Sequence, residues 1–163
     1  MKILFLCTDG NSCRILMAET FLHQTDPSLE VYSAVINSDD HADPIAIEVM
    51  NEIGIDISNR KPNSIKLFEG TLVDYLITIC NRKKDETILV NVLFKHKIHL
   101  QFDDPSVPTL LETEDIETYR EIRDEIRDEI RYFYARILMR ELARQLTHQL
   151  ISATSLNLPP HQD

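Results

Sequence analysis

The first seven residues, MKILFLC, run straight into the small polar loop TDGNSC and then into RILMAE. A continuous apolar run is what a strand needs when both its faces are covered, as in the middle of a parallel sheet. Behind the loop, Ile15, Ala18 and Leu22 recur at helical spacing. The chain therefore opens as strand, tight loop and helix, the unit that a layered α/β fold repeats.

The repetition follows. EVYSAVI from Glu30 is rich in strand formers. Asp43 before Pro44 predicts a helix N-cap with proline at the first helical position. Ala46, Val49, Met50 and Ile53 supply that helix's buried stripe, and Gly54 ends it. VDYLITIC, ending at Cys80, predicts a third strand, and KIHLQF before DDP a fourth. Alternation of this kind implies right-handed crossovers, hence a four-stranded parallel sheet with helices on both faces. The 163 residues suffice for one core. The expected division is a single domain over 1–135 and a helical extension with its tail over 136–163. In such sheets ligands collect at the carboxyl ends of strands, where Cys7, Cys80 and the pair Asp103–Asp104 all fall.

From Glu112 the chain becomes one long helical pattern containing EIRDEIRDEIR. Ile122, Ile126, Ile130, Tyr134, Leu138, Leu142, Leu146 and Leu150 recur every four residues. Such a row drifts around a helix by about 40° per step, because a turn takes 3.6 residues. The first half can pack on the sheet while the second faces elsewhere. Either a kink or turn folds the last part back onto the domain, or residues beyond about Phe133 form a partner surface, as in a homo-oligomer. SATSLNLPPHQD reads as a frayed tail.

The net charge of −10 argues against a nucleic-acid partner, and nothing forms a basic, aromatic-studded surface. No apolar run approaches the roughly 18 residues that cross a bilayer, so no membrane association is expected. MKILFLC is too short for a signal peptide, which makes the cytoplasm the expected location. Cys7, Cys13 and Cys80 are too few and too scattered for a secreted disulfide framework. They are either buried apolar residues or reactive thiols. No metal ligand set and no organic cofactor are expected.

The loop before the first helix carries the chemistry. A strand-to-helix loop presents several backbone N–H groups together, and the helix dipole adds positive potential. A cysteine there has its thiolate stabilised and becomes nucleophilic. An arginine opening the helix can hold two oxyanion oxygens at once. Cys7 as nucleophile, Arg14 as clamp and the stretch Gly10, Asn11, Ser12 and Cys13 as the oxyanion cradle form a coherent phosphate- or arsenate-handling site. The Cys13 thiol itself is expected to point into the core. Asp103 or Asp104 can protonate a leaving oxygen, or both can merely cap the turn before Pro105.

LFLCTDGNSCRILMAE, VYSAV, EIGIDISN, LITIC, HLQFDDPS and REIRDEI together resemble the thioredoxin-linked arsenate reductases, relatives of the low-molecular-weight protein tyrosine phosphatases. The resemblance covers about residues 1 to 135. It implies that fold, and an enzyme with Cys7 as the attacking thiolate, Arg14 on the oxyanion and Asp104 as general acid. It further implies that Cys80 resolves the arsenylated Cys7, releasing arsenite and leaving a disulfide for an external thiol, thioredoxin or glutathione, to reduce. Asn11, Glu19 and Ser33 match positions that in some relatives order the loop or hold a potassium ion.

The chain also departs from that pattern. Six residues rather than five separate Cys7 from Arg14, with Asp9 the apparent insertion. Ile15 replaces a hydroxyl residue, Val35 a glycine, and Asn63 an aspartate offered to the cation; the third cysteine of the relay falls at Thr87. Beside the reductase reading, a phosphatase using Cys7, Arg14 and Asp104 and a catalytically weak oxyanion-binding or interaction protein therefore remain as alternatives.

Overall fold

The computed structural model describes residues 1–7, 12–36, 42–80, 91–106 and 116–156, with side chains through 152. The chain runs β1 (Lys2–Cys7), α1 (Cys13–Thr25), β2 (Glu30–Val35), α2 (Pro44–Asn51) and β3 (Asn63–Ser64). A 3-10 turn (Ile65–Phe68) leads to β4 (Leu72–Cys80) and β5 (Leu93–Gln101). Then come α3 (Ile116–Phe133), a π-helical turn (Tyr134–Leu138) and α4 (Met139–Leu156).

All pairings are parallel, in the order β3-β2-β1-β4-β5. The sheet has five strands rather than the expected four. The added one is the two-residue β3, too short to register as an apolar run in sequence. β1 is central: Cys7 pairs with Val35 of β2 and with Ile79 of β4. Its alternating side chains feed two cores. Ile3, Phe5 and Cys7 join residues of α1, α2 and α3 on one face. Leu4 and Leu6 meet Ile65, Phe68 and Val92 on the other. Burial on both faces is why β1 reads as an unbroken apolar string.

α2 is capped as its sequence predicts: the Asp43 side chain accepts from the Ile45 amide at 2.8 Å, and Pro44 takes the first position. Ala46, Val49 and Met50 are buried, but Ile53 is 36% exposed. The helix ends at Asn51, so Ile53 lies in the closing turn, out of phase with the stripe. That turn is closed by hydrogen bonds from the Gly54 amide to Asn51 and the Ile55 amide to Met50. Gly54 adopts φ +78 there.

α3 packs on α1 and α2 through Tyr119, Ile122, Ile126, Ile130 and Phe133. The buried Arg123 donates to the Val49 carbonyl at 2.8 Å and ties α3 to α2. Beyond Phe133 the π turn widens the helix, so the next deeply buried residue is Leu138, five positions on. Tyr134 donates to Asp26 at 3.1 Å and pins the turn to the end of α1. α4 then continues with residues 143–152 exposed. Of the two expected outcomes for the C-terminal pattern, folding back onto the domain is not what the structure shows. The wider π turn absorbs the drift of the four-residue row while keeping the helix continuous. Helical structure reaches Leu156, beyond the expected start of the frayed tail.

An added Cβ at Gly54 would meet nothing within 4 Å, so only its backbone conformation resists substitution. Gly54→Ala should lower unfolding free energy by about 1–2 kcal/mol in urea titrations. Gly54→Asn should lower it less, because asparagine tolerates positive φ.

Candidate active site

β1 delivers Cys7 to the carboxyl end of the sheet, and α1 departs from the same end with Ser12 as its N-cap residue. Ser12 is buried and its carbonyl accepts from the Leu16 amide at 3.1 Å. Asp9, Gly10 and Asn11 lie outside the described residues, and with them the apparent insertion and two members of the anion cradle. What is described is the frame on either side.

Arg14 enters α1 one residue after its start and is fully buried. A buried guanidinium is tolerable only when paired and hydrogen-bonded. Its Nη1 donates to the Phe102 carbonyl at 2.8 Å, and its Nη2 to Asp104 Oδ2 at 3.2 Å. The other oxygen of Asp104 accepts from the Ser106 amide at 3.0 Å and from Ser106 Oγ at 2.7 Å. This local turn is what an aspartate before proline favours. The carboxylate is thereby aimed at Arg14. Asp103 is exposed and faces α3, where it adds to burial in pushing the Glu125 carboxyl up. Local sequence left the two aspartates equivalent; the tertiary structure separates them.

Cys13 sits next to Arg14 but is buried in the helical core. Burial pushes its thiol up to about 12; the Arg14 charge opposes this, and the carboxylates of Asp104 and Asp43 reinforce it. It stays a thiol at neutral pH, as expected of a core residue. Cys7 is also buried, and its lateral neighbours are the aliphatic side chains of Val35 and Ile79. Those neighbours supply no hydrogen bond to a thiolate, and Ile15, at the position of the family's hydroxyl residue, lies in the core.

Cys80 is one residue beyond Ile79, the strand partner of Cys7. Side chains alternate along a strand, so Cys80 points to the face opposite Cys7, the face of Thr78 and its partner His99. The two Cα atoms are about 6 Å apart on strand geometry. That separation lies within disulfide range, but diverging Cβ vectors forbid the bond without backbone movement. The structure thus brings the two cysteines close without aligning them.

The expected cation position is built differently. Ser33 Oγ donates to Glu19 Oε2, Asn63 Nδ2 donates to the Ser33 carbonyl at 3.1 Å, and Arg60 Nη1 lies 3.8 Å from Glu19 Oε1. Burial pushes the Glu19 carboxyl up, against the pull of Ser33, Arg60 and His23. Its oxygens face the Ser33 hydroxyl and the Arg60 guanidinium, and Asn11, the third expected position, lies outside the described residues. Among the described residues no group of three or more His, Cys, Asp or Glu side chains could hold a metal ion.

One contact near the site was invisible in the sequence. Tyr119, fully buried on α3, donates to Asp43 Oδ2 at 2.9 Å. Asp43 follows the carboxyl end of β2 and is close enough for its charge to act on Cys13. The partners lie 76 residues apart, and neither carries a local signature of pairing.

A parallel sheet whose central strand ends in a buried cysteine, with a buried arginine opening the following helix, defines a class: α/β proteins that act through a strand-to-helix loop. This chain belongs to the low molecular weight phosphotyrosine protein phosphatase family, whose model matches residues 2–148. It is 37% identical over 124 residues to an arsenate reductase of Shouchella clausii (strain KSM-K16), spanning 75% of this chain and 86% of that protein. An arsenate reductase of Bacillus subtilis (strain 168) is 36% identical over 124 residues, with the same coverage. A solved arsenate reductase in its phosphate-binding state superposes with a TM-score of 0.68 at 27% identity, covering 84% of this chain and 99% of that one.

Two outcomes follow from this geometry. Iodoacetamide at neutral pH should leave Cys13 unmodified in the native protein and label it only after unfolding, as read by peptide mass spectrometry. Exchanging sodium for potassium at constant ionic strength should leave the melting temperature unchanged, because Arg60 already supplies the positive charge at Glu19.

Proposed function

We propose that this chain is a cytoplasmic arsenate reductase in which Cys7 attacks arsenate and Cys80 resolves the product. The observation that carries the reading is the buried Arg14, held between the Phe102 carbonyl and Asp104 at the mouth of the Cys7 loop. A guanidinium fixed there has the shape to take two oxygens of a small tetrahedral anion. The family's arsenate reductase relatives support the choice of arsenate. So does the lack of tryptophan, since an aryl phosphate calls for an aromatic rim.

In the first step Cys7 Sγ forms a bond to arsenic and one arsenate oxygen leaves, protonated by Asp104. In the second, Cys80 Sγ attacks Cys7 Sγ. The sulfur–arsenic bonding pair passes to arsenic, which is reduced from the pentavalent to the trivalent state and leaves as arsenite, and a Cys7–Cys80 disulfide remains. The opposed directions of the two side chains require the chain after Ile79 to turn during this step. With Thr87 in place of a third cysteine, the relay ends at Cys80. An external thiol, thioredoxin-like or glutathione, then reduces the disulfide. A small oxyanion, this reductant and a second copy of the chain are the partners of this reading. No described helix is long and apolar enough to cross a membrane.

An arriving oxyanion competes with Asp104 for Arg14 Nη2, the group that holds this carboxylate in place.

The position of Cys80 favours a second reading. A phosphatase needs only Cys7, Arg14 and Asp104, and the cysteine on the opposite face would then be a bystander.

Arsenate-dependent oxidation of a thiol donor decides between the two. Cys7→Ser should abolish turnover, and Cys80→Ala should stop it after the first step. Asp104→Asn should slow it by about 10²–10⁴-fold. If hydrolysis of an aryl phosphate exceeds arsenate turnover and survives Cys80→Ala, the phosphatase reading holds instead.

A further inference from the structure

α4 is a helix of 18 residues that turns an apolar row outward. Met139 is half exposed, Leu146 is 61% exposed and Leu150 is 69% exposed, with the half-buried Leu142 on the same row. Residues 143–152 are exposed, so this end of the continuous helix lacks the buried face from which most protein helices draw their stability. Leu138 is still in the core, so the outward row begins at Met139.

The charges on the helix narrow the choice of neighbour. Arg140, Glu141 and Arg144 all lie in its first two turns, and from Gln145 to Leu156 no Asp, Glu, Lys or Arg occurs. The first half is therefore net positive, and the uncharged second half ends in the helix dipole's negative pole. A parallel copy would set Arg140 beside Arg140 and Arg144 beside Arg144. An antiparallel copy sets each arginine-bearing half beside the partner's negative pole. A lipid surface fits less well, because interfacial helices are rich in lysine or arginine and carry bulky aromatics; α4 has two arginines, no lysine and no aromatic residue.

We propose that α4 is the interface of an isologous homodimer, its Leu142–Leu146–Leu150 row packed antiparallel against the same row of a second copy about a two-fold axis near Leu146. Rows spaced by four residues interlock at about 50°, which confines contact to a few turns. The association is accordingly dissociable, and it makes the extension an assembly element added to the domain. It does not rest on the chemistry of the oxyanion site.

Sedimentation equilibrium of the full chain over a wide concentration range tests this. The expected result is a monomer–dimer equilibrium that Leu146→Arg converts to monomer at every concentration, with phosphate binding at the distant site unchanged. Leu146→Cys should crosslink to its own copy on mild oxidation, and Arg140→Cys should not, since the two-fold axis places the 146 positions together and the 140 positions apart. A wild-type monomer throughout would overturn the proposal. So would a dimer that survives Leu146→Arg, efficient crosslinking through position 140, or a monomer that binds phosphatidylglycerol vesicles through α4.

Discussion

The guanidinium of Arg14 is the charge around which the rest of this molecule is arranged. It is fully buried, and Phe102 and Asp104, which accept from it, lie 88 and 90 residues away in sequence. Removing a partner from a buried ion pair costs about 3–5 kcal/mol, so the start of α1 and the turn after β5 cannot drift apart independently. That single requirement fixes Asp104 beside the start of α1. It also explains why α1, from Cys13 to Ala18, is buried at every position: the helix must be enclosed for the charge to be enclosed.

The pleat of the sheet imposes a second constraint, and it works against the proposed chemistry. Adjacent strands put Cys7 and Cys80 close, yet alternation aims them at opposite faces of the sheet. Any Cys7–Cys80 bond therefore requires the backbone after Ile79 to move.

The long C-terminal pattern shows how far periodicity reaches. A row repeating every four residues cannot stay on one face of an ideal helix. Between Phe133 and Leu138 the chain holds its core contact by widening to a π turn. Past that turn the same row faces outward. One repeat therefore serves two surfaces, the domain's own core and the face of α4.

Much of this was legible in the chain itself. The unbroken apolar string of β1, the Asp43–Pro44 cap, the strand ends at Cys7 and Cys80 and the helical repeat follow from short-range rules, because each depends on neighbours a few residues away. The two-residue β3 was hidden because so short a strand has no period. Ile53 was misplaced because the turn closed by Gly54 begins earlier than the apolar spacing suggests. The hold of Arg14 on Asp104 rather than Asp103, the pairing of Tyr119 with Asp43, the approach of Arg60 to Glu19 and the opposed faces of Cys7 and Cys80 belong to the tertiary structure alone. The sequence by itself determined which residues stand at the carboxyl edge of the sheet, since strand length and pattern are local. Which of them point at one another was decided by pleat and packing between segments far apart in the chain.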